Sequence, residues 1–407
     1  MTAVTDHSQG DEGFRLSQLL YDTRYRSVTI QIIALLALIA GLGWLLNNAV
    51  SNLAAAGQDF NFGFLGSVAG YDINQRLIEY DSQMTHGRAT LVGLLNTLLV
   101  AVLGCITCTV IGVIMGVLRL SPNWIVRQLS AVYVEAFRNV PVLLWIVLIM
   151  GVMIKVPPQP RAFRGDNPDA TMSLWDSVAI TNRGIYIPRP TYEAGSALVV
   201  GVFLASIVAI FAFRWFAKKR QEETGQILPV FWVGLGLFFV PAILTQLVMG
   251  SPIGLEYPEL AGFNFSGGIH LRNSLIALWI ALSLYTGAFV AENVRAGILS
   301  VSKGQTEAAA SLGIRPNRIM NLVVLPQALR VIIPPMISNY LNLTKNSSLA
   351  LAIGYMDLTG TLGNITRNQT GREMESVLLL MAIYLSLSLS ISAVGNWYNN
   401  SVKLKER

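Results

Sequence analysis

The chain has 407 residues, 53% of them hydrophobic and only 13% charged, with a net charge of +6. An ordinary soluble domain carries about 25% charged residues, and here the apolar residues fall into uncharged runs at 27–58, 89–118, 139–154, 194–213, 224–255, 273–291 and 376–402. A hydrocarbon core of about 30 Å needs roughly 20 helical residues, whereas spanning barrels use alternating segments of about ten, so composition and run length together exclude a soluble domain and argue against a barrel.

The expected fold is therefore all-α, a polytopic membrane protein with eight spans near 29–48, 90–118, 135–155, 195–214, 227–249, 273–294, 320–343 and 376–397. Of the 29 basic residues, 22 are Arg, and nearly all lie in connectors, which argues for orientation in a membrane rather than nucleic-acid binding. Segments on the side of the N-terminus hold 18 of them against 11 opposite, five of those in the long connector after the third span. Cytoplasmic loops collect Lys and Arg, so both termini are expected to be cytoplasmic.

In chain order, residues 1–28 form a polar cytoplasmic tail, and 29–88 an anchor helix with an external loop. The first apolar run is too long for a signal h-region, and Asp6, Asp11, Glu12 and Asp22 dilute its basic flank; Ala54-Ala55-Ala56 leaves cleavage open. In the second span Gly104, Cys108, Gly112 and Gly116 recur every four residues, which lets another helix backbone approach closely. Cys105 and Cys108 have redox CxxC spacing but lie mid-span, where buried structural thiols are the plainer reading. The external connector 156–194 holds six prolines, which disfavour long helices, and Trp175 and Tyr186 suggest that it folds against a surface. Residues 195–260 supply two further spans, within a transmembrane domain expected over 89–400.

Catalytic and nucleotide chemistry is missing. His7, His86 and His270 all lie outside the apolar runs, so an intramembrane serine or zinc protease lacks its base or ligands, and no metal site is expected. No Gly-Lys dipeptide occurs, so there is no phosphate-binding loop and the chain carries no ATPase of its own. Uphill movement would then draw on a partner or an ion gradient, and an ion-coupled secondary transporter is the alternative reading.

The connector after the sixth span, 300–318, is the most informative. It contains Gly304, Gln305, Glu307, Ala308 and Ala309, then Gly313, Pro316, and further on Leu325-Pro326. The alanines predict a short helix ended by Gly313, suited either to docking in a partner's groove or to linking two spans. The order Glu-Ala-Ala, three residues, Gly, then Leu-Pro resembles the EAA loop of ABC importer permeases, with Val323 where Ile is usual. Tyr133-Val134-Glu135-Ala136-Phe137-Arg138-Asn139-Val140-Pro141, Ala291 to Ile298, and Lys345-Asn346-Ser347-Ser348-Leu349 are similar to polar amino-acid permeases. The enlarged layout resembles the larger permease of a general L-amino-acid importer.

That resemblance implies the type I importer transmembrane fold, in a bacterial inner membrane and surrounded by its lipid. It implies a path shared with a second, homologous permease, two ATP-binding subunits that hold ATP and Mg, and a periplasmic amino-acid-binding protein. Glu135 and Arg138, and Glu292 and Arg295, are spaced i,i+3 near the cytoplasmic boundary, as plain ion pairs or as parts of a gate. Lys345, with Asn346 and Ser347, lies either in an external loop or in the substrate path, where an intramembrane charge is a functional candidate.

Overall fold

The computed structural model describes residues 23–55, 60–165 and 167–402. The expected cytoplasmic tail up to residue 22, and the basic C-terminal residues from 403 onward, lie outside the described residues. The chain divides into two compact units, Met1–Phe64 and Leu65–Arg407. The first holds α1 (Thr23–Ala55), apolar on every face.

Among the described residues, eight helices are long and apolar enough to cross a membrane. In the second unit α2 (His86–Leu118) starts where the Thr85 hydroxyl accepts from the Arg88 N–H. Next comes α3 (Trp124–Asn139), its first turn capped by Asn123, whose side chain accepts from Ile125 and Val126. The single span expected over 135–155 is in fact broken. Pro141 has no N–H and holds Val140 extended, so the spanning helix α4 (Val142–Lys155) begins after it.

The proline-rich connector folds into short strands rather than irregular chain. These are β1 (Ala179–Thr181), β2 (Gly184–Ile187) and β3 (Arg189–Tyr192), leading into α5 (Ser196–Thr224) and α6 (Val230–Val248). Four more follow: β4 (Ile253–Glu256), β5 (Glu259–Ala261), β6 (Asn264–Ser266) and β7 (Ile269–Arg272). The sheets are antiparallel, ordered β1-β2-β7, β3-β4 and β5-β6. Register Arg189↔Glu256 to Tyr192↔Ile253 brings the two ends of the α5–α6 hairpin together, so the extra spans form an excursion from a closed ladder. Tyr186 is buried there, stacked on His270 at 4.2 Å and donating to Asn264 Oδ1 at 2.9 Å, whereas Trp175 stands out in the open.

After β7 the chain enters α7 (Asn273–Leu299), the most buried span, followed by α8 (Lys303–Ser311) and α9 (Pro316–Ile319). A π turn, Met320–Val324, then joins α10 (Leu325–Asn346) without a break. Pro326 cannot donate and its ring crowds the carbonyl four residues back, which the wider π turn accommodates: Leu325 N–H bonds Met320 O. A 3₁₀ turn (Ser347–Ile353), a π segment (Thr359–Thr366) and α11 (Arg367–Thr370) precede the last span, α12 (Glu373–Val402).

The core is the seam of α2 against α7 and α10. A Cβ at Gly112 would sit 3.0 Å from the Gly287 carbonyl oxygen, and one at Gly116 2.6 Å from that of Ala291. Gly112 and Gly116 of the small-residue ladder are thus the surface on which α7 lies, while Gly104 faces Leu343 of α10. On α2, Asn96 Nδ2 donates to Gln75 O at 2.7 Å and Met356 O at 2.8 Å, and the Thr97 hydroxyl accepts from Leu358 N–H at 3.0 Å. These bonds pin the segment after α10 onto α2. Asp357, fully buried beside them, accepts from Gly360 N–H at 2.8 Å and from the Tyr384 hydroxyl at 3.2 Å.

Two outcomes are expected. Gly116→Val forces an overpacked seam, a change that costs about 1–3 kcal/mol, and lowers the melting temperature of the detergent-purified protein. Gly201→Ala, which meets nothing within 4 Å, leaves it unchanged. Burial pushes the Asp357 carboxyl up from 3.8 to about 6. The fold therefore favours the protonated acid, and that contribution is full below about pH 4 and lost as pH rises through about 6. Asp357→Asn keeps the shape and an acceptor for Gly360, so thermal stability measured from pH 4 to 7 should fall in the native protein and stay flatter in the variant.

Candidate functional site

The segment singled out by its sequence folds as expected. α8 covers Lys303–Ser311, and Gly313 takes φ +74°, the left-handed conformation that ends a helix. Gly313 N–H bonds Ala310 O at 2.9 Å and Ile314 N–H reaches back to Ala309 O at 3.4 Å, the paired closure of a Schellman turn. Ala309 alone is buried, against Ile319, Val324 and the partly buried Ile298, Val301, Ile314 and Val323. Gly304, Gln305, Glu307 and Ala308 are exposed, and Leu312 presents 79% of its surface. The helix is held by one methyl on its inner side, and its outer side, with an apolar tip, is uncovered by the described residues. Leu325 and Pro326 lie at the start of α10, where they set the turn that carries α8 back to the bundle.

The two charged pairs behave differently. Glu292 and Arg295 do form the i,i+3 pair on α7, at 3.0 Å. Glu292 also binds Arg119, the residue that caps the C-terminal end of α2, so the pair is one half of a bridge between two helices. Glu135 and Arg138 are not seen paired with each other. Glu135 accepts from Asn139 at 3.2 Å, and the Arg138 guanidinium lies over the Phe289 ring at 5.3 Å. Arg119 carries no motif in the sequence; only its place at a helix end facing an acidic residue could have marked it.

Lys345 is not a loop residue. It occupies the last turn of α10, inside the seventh candidate span, where the helix C-terminal dipole favours a cation. Its side chain is exposed, Asn346 is half-buried beside it, and Ser347 is fully buried with its hydroxyl donating to Thr344 O at 2.7 Å. Helix α8 and Lys345 thus fall at opposite ends of the α9–α10 rod, and the structure does not bring them together. Cys105 and Cys108 are free thiols, Cys108 buried with its Sγ donating to Cys105 O, and no group of metal-ligating side chains forms among the described residues. Asn96, Thr97 and Asp357, which fix the segment between the last two spans, were not anticipated.

A family model for the inner-membrane component of binding-protein-dependent transport systems matches residues 201–404. The glutamate/glutamine/aspartate/asparagine transport system permease protein BztB of Rhodobacter capsulatus is 53% identical over 97% of this chain and 98% of that protein. The general L-amino acid transport system permease protein AapQ of Rhizobium johnstonii is 43% identical, with 97% and 96% covered. BztC of Rhodobacter capsulatus, a permease protein carrying the same system name as BztB, is 27% identical over 52% of this chain and 47% of its own length. These similarities are to transport permeases and not to enzymes, and they agree with the eight apolar helices. The chain belongs to the inner-membrane components of binding-protein-dependent transport systems, the multi-pass permeases of ABC importers.

Proposed function

We propose that this permease carries L-amino acids over a broad range, as one of two homologous transmembrane subunits, and is driven through α8 by a separate ATPase. The observation that carries the coupling role is the geometry of α8: a short helix with a closed Schellman end, anchored by a single buried alanine and otherwise uncovered. A linker between spans has no need of a fixed end and an exposed apolar tip. A groove on a soluble subunit does. The amino-acid cargo rests on the names of BztB and AapQ, and the second permease on the shared system name of BztB and BztC. The chain has no phosphate-binding loop, so ATP and Mg would bind on the two ATP-binding subunits, while a periplasmic binding protein delivers cargo to the sheet-bearing end.

The orientation follows from the basic residues. Lys218, Lys219 and Arg220 at the α5–α6 turn, and Lys303, Arg315 and Arg318 around α8, mark one side as cytoplasmic. The strands and Lys345 then face outward, and both termini are inside. At the cytoplasmic end the Arg119–Glu292–Arg295 bridge ties α2 to α7 immediately before α8. A pull on α8 therefore loads this bridge first, which is the setting in which an ion pair acts as a gate.

Three expectations follow from this reading. In a background without native cysteines, Trp175→Cys and Ala310→Cys should label with an impermeant maleimide from opposite sides of the membrane; labelling from one side contradicts the orientation. Gly313→Asp places a side chain in a left-handed position that disfavours it by roughly 1–2 kcal/mol and sets an anion at a helix C-terminus. It should insert normally, lose stimulation of the ATPase and reduce reconstituted transport more than tenfold, while Glu307→Ala stays within a few-fold of the native protein. Finally, the chain purified alone should neither hydrolyse ATP nor accumulate amino acids; uptake driven by a proton or sodium gradient would establish the ion-coupled alternative instead.

A further inference from the structure

Immediately before β1, Ser173 and Val178 pair as an isolated antiparallel bridge, Ser173 N–H donating to Val178 O at 2.8 Å and Val178 N–H to Ser173 O at 3.0 Å. The turn between them is also tied from inside. Ser177 N–H bonds Ser173 O at 3.1 Å, and the Ser177 hydroxyl donates to Trp175 O at 3.3 Å. Within this frame Leu174, Trp175 and Asp176 take φ of +52°, +55° and +57° in succession. The left-handed conformation drives Cβ against the following carbonyl oxygen, so residues other than glycine visit it singly, and Asn or Asp most often. Three in a row, with leucine and tryptophan among them, make a strained turn. Such strain persists only where the surrounding structure over-determines it, and it gathers at functional positions.

What the turn holds out is an indole. Trp175 presents 95% of its surface and Leu174 66%, whereas Tyr186 on β2 of the same sheet is buried. A turn that only reverses the chain has Gly or Asn available for left-handed positions. The sheet decides which way the indole faces. At one end Thr181 pairs with Gly184 and Gly184 with Arg272, where β7 enters α7 and Asn273 Nδ2 donates to Asn182 O at 2.6 Å. Ala179 pairs with Tyr186 toward the other end, and the 173–178 turn lies beyond it. A tryptophan that serves a bilayer sits at headgroup level. This one stands at the end of the sheet away from the spans, beside the exposed carboxylate of Asp176. Its place suits a soluble protein that arrives from the aqueous side.

We propose that Trp175 is the anchor by which this permease engages its soluble binding protein, the indole entering an apolar pocket on that protein and Asp176 meeting a basic group at the rim. The assignment rests on the importer reading above, in which a periplasmic binding protein delivers cargo to the sheet-bearing end. It adds the residue that makes the contact. Large rigid aromatics carry much of the energy of protein interfaces, and tryptophan is enriched among them. The closed, strained turn holds the indole in place before contact, so little ordering is left for the binding step.

The test uses the assembled complex of both permeases and the ATPase in nanodiscs, and follows ATP hydrolysis as purified binding protein is added with L-glutamine. Trp175→Ala should raise the half-maximal concentration of binding protein at least tenfold, while the rate without binding protein and the rate at saturation stay within twofold of native. Trp175→Phe, which keeps an aromatic anchor, should fall between the two, and Asp176→Asn should raise the half-maximal concentration a few-fold at low salt. The exposed indole supports nothing in the fold, so the melting temperature of Trp175→Ala should equal the native one. An unchanged half-maximal concentration in Trp175→Ala overturns the proposal. A membrane role is read with an environment-sensitive fluorophore on Leu174→Cys, with Cys105 and Cys108 replaced. Aqueous iodide should quench it in nanodiscs, and the binding protein should protect it. Protection without binding protein that disappears in detergent micelles makes the turn a lipid contact and also overturns the proposal. ATP-driven uptake by the native complex with binding protein is the separate arm. Its failure refutes the importer reading, whereas native-like stimulation and uptake in Trp175→Ala refute this contact alone.

Discussion

The close approach of α2 to α7 is the contact on which the rest of the second unit depends. Lipid tails are as apolar as leucine, so burial of apolar surface does little to join helices in a bilayer, and close van der Waals packing must do it instead. Gly112 and Gly116 provide that packing by letting the α7 backbone come to distances at which any Cβ would collide. Once α7 is seated, its two ends are fixed in space. One end receives β7; the other carries Glu292, Arg295 and, four residues after the span closes, α8. A helix of 27 residues spans about 40 Å, so one rigid element connects the two regions that transport must coordinate.

A second layer of constraint lies in the segment between α10 and α12. It is neither a loop nor a span, and it is held by side chains that reach out of an otherwise apolar helix. Asn96 spends its amide hydrogens on two loop carbonyls, and Thr97 accepts from Leu358 N–H. Removed from water, an unpaired backbone group is expensive, and these bonds explain how irregular chain is tolerated against the bundle. Asp357 extends the same logic with Gly360 and Tyr384. The α5–α6 hairpin, by contrast, is closed at its base by β3 and β4, and its outward faces are the apolar surface expected against lipid.

Much of this was legible in the sequence for physical reasons. Uncharged runs of about 20 residues have few solutions other than spans, and a glycine or small residue every fourth position has one face. α8 was readable because alanine favours helix and Gly313 ends it in the conformation only glycine adopts freely. The misreadings have equally definite causes. The expected span was drawn back across Pro141 although Glu135, Arg138 and Asn139 precede it, so one element was read where the proline separates the amphipathic α3 from the apolar α4. The strands escaped notice because each is three or four residues long and pairs with a partner up to 88 residues away, as Gly184 does with Arg272. The Glu292–Arg295 spacing was visible, but its second partner Arg119 comes from another helix and no local pattern marks it.

Sequence and fold meet in the role of α8, where the closed helix end and the exposed Leu312 tip face away from the bundle. The most direct measurement of that role is site-specific cross-linking from position 312 in the assembled importer, with Cys105 and Cys108 replaced and a photoreactive group attached to Leu312→Cys. The account predicts one dominant adduct with the ATP-binding subunit, its yield changing between nucleotide-free and ATP-bound complexes while an adduct from position 175 does not form. Absence of any ATPase adduct from position 312, in a complex that still transports, would contradict it.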